Sequence, residues 1–377
     1  MAPTRRNTPL RVAHVIQYFD VGGLERMVLR LAHASRAFGI SPSVFAYMGD
    51  GPMRLEFERA GIATHLIDQP VKGVQFGRSF DLTRAFEREA IDVIHSHHVG
   101  PFLYSMLAAS ALTTPHVHTE HSHEFYDVPR RQALGQWMDA RARVVAVTEE
   151  ISQWREAYLG RGCEVIHNGV PMPTLGRSDG KSVRRSLGIC EGTFIIGCVA
   201  RLAPEKDIDF LLRSFAKVAR RKNHVALVLV GDGPERENLE ASASLLGIAD
   251  KVHFLGQRND VEMLLPAFDL FALSSRREGL PLAVLEAMGH AIPVVVTAVG
   301  GLPDLLRDGG GRVVAHGDEE AMASALDSFM GQPRLRRSEG RRARARIKHS
   351  HSSEAMARAY TDIYEEMALT EQKRWRA

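Results

Sequence analysis

The sequence predicts an α/β protein made of two units, each with a parallel β-sheet covered by helices on both faces. Two observations predict this class. Short apolar runs rich in β-branched residues alternate with helical patterns, and the alternation starts again after a polar break rich in Pro and Gly. Continuously apolar strands are typical of parallel sheets, because both faces of such sheets are buried. A chain of 377 residues is also long for a single core, so two domains are expected.

The first half of the chain supplies the first predicted sheet. Its strands are short apolar runs, and two stretches between them carry the apolar spacing of a helix. The strands are predicted at 12–19, 43–47, 64–67, 92–97, 116–121, 143–148 and 164–167, and the helices at 24–37 and 101–112.

The second half begins after a segment at 171–180, which is the best linker candidate because Pro, Gly and polar residues dominate it. From about Asp318 the pattern is helical to the end of the chain, which predicts a helical tail. Between the linker and the tail, strands are predicted at 194–200, 225–230, 252–255, 270–273 and 292–297, and helices at 207–220 and 235–246.

Composition narrows the class of protein without giving a function. Hydrophobic residues make up 45% and charged residues 25%, the net charge is +3 and the pI is about 8.8, which is ordinary for a globular protein and gives no indication of nucleic-acid binding. Cys163, Cys190 and Cys198 have no CxxC spacing, so free thiols in a reducing compartment are expected. We find no apolar segment of signal-peptide or transmembrane length, which predicts a cytoplasmic protein with at most peripheral membrane contact.

Two glutamates eight positions apart, Glu278 and Glu286, form the most informative motif. Gly279 and Pro281 follow the first glutamate and predict a loop that turns into a helix, since Pro suits the first helical turn. Glu278 would then lie in the loop and Glu286 about one turn inside the helix. The free N–H groups of a helix N-terminus bind phosphate well. Two acceptors on either side of such a site suit a nucleotide-sugar, with hydroxyls at both ends and a diphosphate between them.

Two cations, Arg201 and Lys206, follow the first strand of the second unit. Their spacing across a Pro-containing loop permits both to reach one anion, Arg as a bidentate donor and Lys as a point charge. Both would then stabilise the charge on a departing diphosphate. Two exposed surface charges are the alternative. The position after a first strand favours the functional interpretation.

Glycines at the ends of predicted strands are candidates for close approach to a ligand. Gly22 and Gly23 follow the first strand and open the first helix, but the third glycine of a dinucleotide fingerprint is absent. Gly231 and Gly233 end a strand of the second unit, and Gly256 ends the next. Simple turns explain all of these positions equally well.

Histidines are dense in the first unit, which raises the question of a metal site. No HxxxH or HExxH pattern is present, so we instead predict a cleft lined by histidines at strand ends. His121 is placed where a strand ends, and it is expected to donate to a sugar hydroxyl or phosphate. The others are expected to be structural or exposed. The cluster consists of His95, His97, His98, His116, His118, His121 and His123.

The helical tail is locally basic. A solvated helix face is the ordinary interpretation of such a run, and attraction to anionic lipid head groups is the functional one. Nucleic-acid binding has no support from interleaved aromatic residues. The basic residues are Arg334, Arg336, Arg337, Arg341, Arg342, Arg344, Arg346 and Lys348.

These motifs together resemble those of glycosyltransferase family 4, the retaining GT-B enzymes, and the resemblance is strongest from Val199 to Val314. It implies two Rossmann-like, doubly wound domains facing across a cleft. An acceptor-binding domain would span residues 1–172 and a donor domain residues 173–351. Residues 352–377 would form a C-terminal helix that crosses back to the first domain, with 352–369 as the candidate.

The resemblance also implies roles for the residues singled out above. Glu286 would hold the ribose hydroxyls, and Glu278 would contact the donor sugar. Arg201 and Lys206 would bind the diphosphate, and His121 matches the family's first-domain histidine near the transferred sugar. Gly22 and Gly23 would line the cleft. The donor loop would comprise Gly279, Leu280, Pro281, Leu282, Ala283 and Val284.

The family transfers a sugar with retention and without a bound metal, and the leaving phosphate helps to deprotonate the acceptor. The implied partners are a UDP- or GDP-sugar donor, used as a co-substrate, and a glycan or lipid-linked acceptor. Two departures are mild: Ala291 stands where the family usually has Gly, and Asp304 where Glu is common. A nucleotide-sugar epimerase and a non-catalytic nucleotide-sugar-binding protein remain as alternatives, and an NAD oxidoreductase ranks last.

Overall fold

The computed structural model describes residues 8–67, 77–122, 124–126, 128–174 and 179–376. The chain divides into two compact units. Unit 1 comprises Met1–Gly169 and Ser353–Ala377, and unit 2 comprises Val170–Ser352. Each unit contains one parallel sheet, which confirms the predicted α/β class. Part of the predicted linker, residues 175–178, and His123 of the histidine cluster lie outside the described residues.

The strands and helices are numbered here in chain order over the described residues. The strands are β1 (Leu10–Tyr18), β2 (Ile40–Gly49), β3 (Ala63–Leu66), β4 (Val93–His97), β5 (His116–Glu120), β6 (Arg143–Ala146) and β7 (Glu164–Val165) in unit 1, and β8 (Phe194–Val199), β9 (Val225–Val230), β10 (Val252–Phe254), β11 (Leu270–Leu273), β12 (Val294–Thr297) and β13 (Gly311–Val314) in unit 2. The α-helices are α1 (Gly23–Ser35), α2 (Pro52–Arg59), α3 (Gly77–Arg88), α4 (Val99–Leu112), α5 (Pro129–Asp139), α6 (Glu149–Leu159), α7 (Asp179–Ser186), α8 (Ile208–Ala219), α9 (Arg236–Leu245), α10 (Val261–Leu264), α11 (Leu282–Gly289), α12 (Leu302–Leu305), α13 (Glu319–Met330), α14 (Pro333–Ser350) and α15 (Ser353–Arg376).

Both sheets are doubly wound. Within the described residues, the order is β3-β2-β1-β4-β5-β6-β7 in unit 1 and β10-β9-β8-β11-β12-β13 in unit 2. The order reverses between β1 and β4 in the first sheet and between β8 and β11 in the second. Ligands of such sheets bind outside the carboxyl ends of the strands at these reversal points. The topology therefore predicts that ligands bind at the loops that follow β1, β4, β8 and β11.

Local sequence explains why several of the strands and helices form where they do. All residues of β9 and β12 are buried, as expected for strands covered on both faces. Helix α8 begins after Asp207, whose carboxylate accepts a hydrogen bond from the N–H of Phe210 and so caps the helix. The sequence patterns did not predict α2, α3, α5, α6, α7, α10, α12 and β13. Most of the unpredicted helices are rich in charged residues or only four residues long, and β13 is four residues long and begins with glycine.

A fully buried arginine ties the helices α5 and α6 to the first sheet. The guanidinium of Arg155 on α6 is paired with Asp139 on α5 and lies 3.4 Å from a carboxylate oxygen of Glu120 on β5. A buried pair of this kind is costly to break, because removal of one partner leaves an uncompensated charge in the core.

Helix α15 belongs to unit 1 and is attached by a chain of buried polar groups. The hydroxyl of Tyr364 lies 2.6 Å from Nδ1 of His95 on β4. Nε2 of His95 lies 2.7 Å from Oγ1 of Thr119 on β5, and this oxygen lies 2.7 Å from the hydroxyl of Tyr360. Helix α15 therefore packs on the first sheet, and it extends beyond the candidate segment 352–369 to Arg376, within the predicted span 352–377.

The basic run lies on α14, and part of it has a structural task in unit 2. Arg336 donates to the carbonyl of Phe329 at 2.9 Å, and Arg344 donates to the carbonyls of Gly289 and Pro173. Arg342 pairs with the buried Glu339 at 3.0 Å. Arg334, Arg337, Arg341 and Lys348 are exposed, so the predicted attraction to anionic lipids stays a prediction that rests on these side chains.

In the described residues, we find no helix whose length and apolar character would let it cross a membrane.

Helix α11 ends in a Schellman motif with an alanine at the left-handed position. The N–H of Ile292 donates to the carbonyl of Ala287, the N–H of Ala291 donates to that of Met288, and φ of Ala291 is 60°. Glycine usually fills this position, because a Cβ is disfavoured in the left-handed region. Ala291, which stands where the family usually has glycine, is therefore a strained residue.

We predict that Ala291→Gly raises the free energy of unfolding of unit 2 by about 1 kcal/mol, because it removes this strain. Scanning calorimetry of the full chain measures the effect. Ala345→Gly on the exposed face of α14 is the control, and it should destabilise by about 1 kcal/mol because glycine weakens a helix interior. A loss of stability in Ala291→Gly would contradict the assignment of strain.

Candidate functional site

The loops that follow β8 and β11 meet at the reversal point of the second sheet. Nζ of Lys206, in the first loop, lies 2.7 Å from Oε1 of Glu278 in the second. The hydroxyl of Ser275 donates to the same carboxylate oxygen at 2.7 Å. The side chain of Glu278 is only 9% exposed and that of Lys206 22% exposed. These two predicted site residues therefore form one partly buried, hydrogen-bonded ion pair.

Further contacts fix the two loops to each other. The hydroxyl of Ser274 donates to the carbonyl of Lys206 at 3.0 Å, and the N–H of Arg276 donates to the carbonyl of Glu205 at 2.8 Å. The guanidinium of Arg276 also donates to a carboxylate oxygen of Asp207 at 2.9 Å. These bonds fix the positions of Lys206 and Glu278 relative to each other.

The carboxylate of Asp207 joins a third loop to this pair of loops. Burial alone would raise the pKa of the Asp207 carboxyl, but hydrogen bonds from Arg276 and His316 outweigh it and hold the pKa below its usual value. Nε2 of His316 lies 2.8 Å from the carboxylate. Asp207 therefore stays ionised as a shared acceptor near neutral pH.

Helix α11 points its N-terminus at the same loop. Pro281 is the N-cap, and α11 begins at Leu282, one residue later than the sequence predicts. The first turn of an α-helix has N–H groups without acceptors inside the helix, which suits an anion. Glu286 lies half-buried about one turn inside α11, as expected. The five residues from Leu280 to Val284 thus form a loop and a first helical turn, as the motif predicts.

Gly300 and Gly301, after β12, support this loop from behind. The N–H of Gly301 donates to the carbonyl of Gly279 at 2.9 Å. Gly300 has φ of 55°, and a Cβ at this position would lie 2.2 Å from the carbonyl oxygen of Glu278. Only glycine fits here without moving the loop.

Arg201 and Lys206 are in different situations. Lys206 is paired with Glu278, whereas Arg201 is exposed, and its guanidinium has no hydrogen bond or ion pair within the described part of the chain. An incoming anion would therefore meet one free cation and one that already has a carboxylate partner.

The glycines of the second unit have a packing explanation of their own. A Cβ at Gly231 would lie 1.9 Å from the carbonyl oxygen of Ala200, and a Cβ at Gly233 would lie 2.3 Å from that of Leu202. The N–H of Gly231 donates to the carbonyl of Gly256 at 2.8 Å. These glycines allow the loops after β8, β9 and β10 to pack closely, and a nucleotide contact at them stays a prediction.

In unit 1, the loop after β1 leads directly into α1. Gly22 is the N-cap of α1, and a Cβ there would meet only the flexible carboxylate of Glu25. At Gly23 no described atom lies within 4 Å of a Cβ position. Packing within the described residues does not require glycine at residue 23. The prediction that a ligand approaches the backbone closely there still offers an explanation for this glycine.

His121 follows β5, near the same reversal point of the first sheet. Its Nε2 lies 3.4 Å from Nδ1 of His97, the last residue of β4. Burial lowers the pKa of His121 to about 3, and the neighbouring His118 and His98 add to the effect. His121 is therefore neutral near pH 7, which makes it a hydrogen-bonding group and not a cation.

The remaining histidines of the predicted cluster are mostly buried inside the first sheet. His95, His97, His116 and His118 are fully buried, which agrees with the structural interpretation of them and shows that these four do not line an open cleft. Sequence analysis missed His14 on β1, whose Nδ1 lies 3.1 Å from Nε2 of His97. A lone polar residue in the middle of an apolar strand is the signal that would have found it.

Comparisons with known proteins agree on one family. The profile described as "Glycosyl transferases group 1" matches residues 179–346, and the profile described as "Glycosyltransferase Family 4" matches residues 21–172. The chain is 28% identical to the D-inositol 3-phosphate glycosyltransferase of Geodermatophilus obscurus, with 94% of this chain and 88% of that protein covered. It is 26% identical to the N-acetyl-alpha-D-glucosaminyl L-malate synthase of Bacillus anthracis, with 74% and 75% covered.

A solved structure shares the fold. The crystal structure of Anabaena Alr3699/HepE in complex with UDP-glucose superposes with a TM-score of 0.84 at 20% sequence identity. The superposition covers 95% of this chain and all of that one. The predicted two-domain, doubly wound fold is therefore confirmed.

We predict that Gly300→Ala displaces the loop that carries Glu278, because the added Cβ collides with backbone and not with a movable side chain. Unfolding in urea should show a loss of about 2 kcal/mol or more, combining strain and collision. Gly317→Ala is the matched control, since φ is 87° but a Cβ would meet no described atom within 4 Å. Equal losses in the two variants would show that strain alone, and not the loop contact, explains the effect.

We also predict that unit 1 loses stability in mild acid. Burial keeps the folded-state pKa values of its core histidines far below 6.5, so the unfolded state binds more protons and the free energy of unfolding falls as the pH drops below about 6.5. Each histidine contributes up to about 1.4 kcal/mol per pH unit. The histidines concerned are the buried His14, His95, His97, His116 and His118, together with the half-buried His121.

Urea unfolding followed by tryptophan fluorescence between pH 5 and pH 7 measures this dependence, because Trp137, Trp154 and Trp375 all belong to unit 1. His116→Leu should reduce the pH slope by about one proton. A stability that is constant over this interval would contradict neutral, buried histidines.

Proposed function

This chain belongs to the group 1 glycosyltransferases, and from that premise we propose that it moves a hexose-type sugar from a UDP- or GDP-linked donor to an acceptor hydroxyl with retention of the anomeric configuration. One observation carries the proposal. Glu278, Lys206 and the N-terminus of α11 lie together at the reversal point of the second sheet, with Glu286 one turn further along the helix. A cation, free N–H groups and two carboxylates suit the diphosphate and the hydroxyls of a nucleotide-sugar.

In the proposed reaction, the bond between the anomeric carbon and the β-phosphate oxygen breaks, and a bond to the acceptor oxygen forms on the same face. The departing phosphate takes the acceptor proton. Arg201, Lys206 and the first-turn N–H groups of α11 stabilise the negative charge that develops on the diphosphate. Glu278 binds hydroxyls of the donor sugar, and Glu286 binds the ribose hydroxyls. The step requires no metal and no protein nucleophile.

We assign to His121 the role of a neutral hydrogen-bonding group toward a sugar hydroxyl or phosphate. Its lowered pKa supports this role, because an imidazole that stays neutral down to about pH 3 does not act as a cationic acid near pH 7. Gly22 and Gly23 would let the backbone of the same unit approach the ligand closely.

UDP is the first donor base to test, because Alr3699/HepE has the same fold and was crystallised with UDP-glucose. For the acceptor, we propose a hydroxyl of a glycan or a lipid-linked molecule, in the synthesis of a surface polysaccharide or glycolipid. The relatives named for D-inositol 3-phosphate and for L-malate add small, negatively charged hydroxyl compounds to the acceptors to test.

A nucleotide-sugar epimerase of the same fold is distinguished by its products. An epimerase changes the donor without an acceptor, whereas the proposed transferase forms a new glycosidic bond and releases the nucleoside diphosphate.

We predict that Arg201→Ala lowers kcat/KM for transfer by about 100-fold, because a free cation at the leaving group is lost. Glu286→Ala should mainly weaken donor binding. Both effects are measured by nucleoside diphosphate release with a panel of UDP- and GDP-sugars and acceptors, alongside thermal stabilisation of the protein by each nucleotide. Arg334→Ala and Glu262→Ala, at exposed positions on α14 and α10, are the controls. Full activity of both site variants would refute the proposed site.

A further inference from the structure

A chain of hydrogen-bonded imidazoles crosses the first sheet and ends at His121. Nδ1 of His14 on β1 lies 3.1 Å from Nε2 of His97 on β4. Nδ1 of His97 in turn lies 3.4 Å from Nε2 of His121, in the segment after β5. His14 and His97 are fully buried, and their rings are stacked with centroids 5.4 Å apart.

We propose that His14 and His97 are positioning residues that fix the tautomer of His121, so that His121 carries its proton on Nδ1 and offers that N–H to the ligand. This inference rests on the proposed function for the role of His121, but the arrangement of protons can be measured without any reaction.

The surroundings of His14, the first imidazole of this hydrogen-bonded series, determine the tautomers of all three histidines. A neutral imidazole has one N–H donor and one lone pair, so protons along the chain must all point in the same direction. Nε2 of His14 is buried and has no hydrogen-bond partner in the described residues. If the protons pointed toward His14, this nitrogen would be a buried N–H without an acceptor.

In the opposite direction, Nε2 of His14 carries only an unused lone pair. Native structures tolerate a buried acceptor without a partner better than a buried donor without one. Nδ1–H of His14 therefore donates to Nε2 of His97, and Nδ1–H of His97 donates to Nε2 of His121. Nε2 of His121 is then an acceptor, so its proton lies on Nδ1.

Burial keeps the hydrogen-bonded imidazoles neutral, and only neutral imidazoles can all donate in one direction. The pKa of His14 is lowered to about 3, and that of His97 is lowered well below its usual value by burial and by the neighbouring His95. A protonated imidazole would have two donors and would break the single direction of the chain.

A metal site is the competing explanation, because nitrogen atoms of His14, His95 and His97 lie within 4.8 Å of one another. Both nitrogens of His95, however, are engaged by Tyr364 and Thr119 at 2.6 Å and 2.7 Å. Nδ1 of His14 and Nε2 of His97 are also engaged with each other. A metal would need these lone pairs, so binding it would cost several buried hydrogen bonds.

The first experiment is ¹⁵N NMR of the full-length protein labelled at its histidines, without added ligand. Long-range ¹H–¹⁵N correlations distinguish the two neutral tautomers, and single substitutions assign the signals of His14, His97 and His121. We expect all three to be protonated on Nδ1. Protonation of His121 on Nε2, or metal-bound shifts at His14 and His97 with equimolar zinc in the purified protein, would overturn the proposal.

A pair of variants tests the consequence for activity. In His97→Asn the amide nitrogen replaces Nδ1 and can still donate to His121, whereas in His97→Gln the amide reaches toward His14 and the donor to His121 is lost. We expect kcat for transfer to be about tenfold lower in His97→Gln than in His97→Asn, with the KM for the donor alike in both. His121 should stay protonated on Nδ1 in His97→Asn only. Equal kcat values together with equal tautomers would overturn the positioning role.

The NMR result separates this inference from the proposed function. A protein that transfers no sugar but has His121 protonated on Nδ1 would refute the function and support the hydrogen-bond chain. A protein that transfers sugar with His121 protonated on Nε2 would do the reverse.

Discussion

The partly buried ion pair between Lys206 and Glu278 is the contact on which the geometry of the candidate donor site depends. It joins the loops after β8 and β11, which are neighbouring strands at the point where the order of the second sheet reverses. The pair is partly buried and has Ser275 as a third partner, which favours a single arrangement of the two side chains. Loops at the end of a sheet are normally the most mobile part of a domain. Here the hydrogen bonds and ion pairs between the two loops hold them against each other.

The same pair also determines how charge is distributed in the site. Because Glu278 already neutralises Lys206, the ground state has one free cation, Arg201, and the N–H groups of α11. In the proposed reaction, a diphosphate that departs and gains charge would compete with Glu278 for Lys206, and the attraction of Lys206 would shift toward the phosphate. An interaction that strengthens only as charge develops accelerates the reaction, whereas one that is complete in the ground state merely tightens binding. Under the proposed function, the carboxylate next to Lys206 would therefore moderate ground-state attraction without removing the cation from the transition state.

Sequence patterns predicted the fold and much of the site because these depend on local chemistry. An apolar strand or the turn at Pro281 can each be recognised from a stretch of a few residues, and the order of the loops follows from the order of these stretches. The pairing of Lys206 with Glu278 spans 72 positions, and the contact of His14 with His97 spans 83. No local pattern records such contacts, since they are set by the order of strands in the sheet. Ala291 shows the same limit: the missing glycine was visible in the sequence, but the left-handed backbone that makes it costly was not.

Unit 1 has a group of hydrogen-bonded histidines in its core, where most proteins have apolar side chains. His95 connects β4 to Thr119 on β5 and to Tyr364 on α15, and its ring lies 4.1 Å from that of His97. Apolar side chains of the same volume would pack in several ways, but each hydrogen bond in this group has one partner and one direction. Because the imidazoles are neutral, the group avoids the cost of buried charge and retains the specificity of polar contacts. The C-terminal helix and the candidate ligand-binding histidine are thus positioned by one connected set of hydrogen bonds and ring contacts, so a defect at Tyr364 would reach His121 through two imidazole rings and not through the backbone.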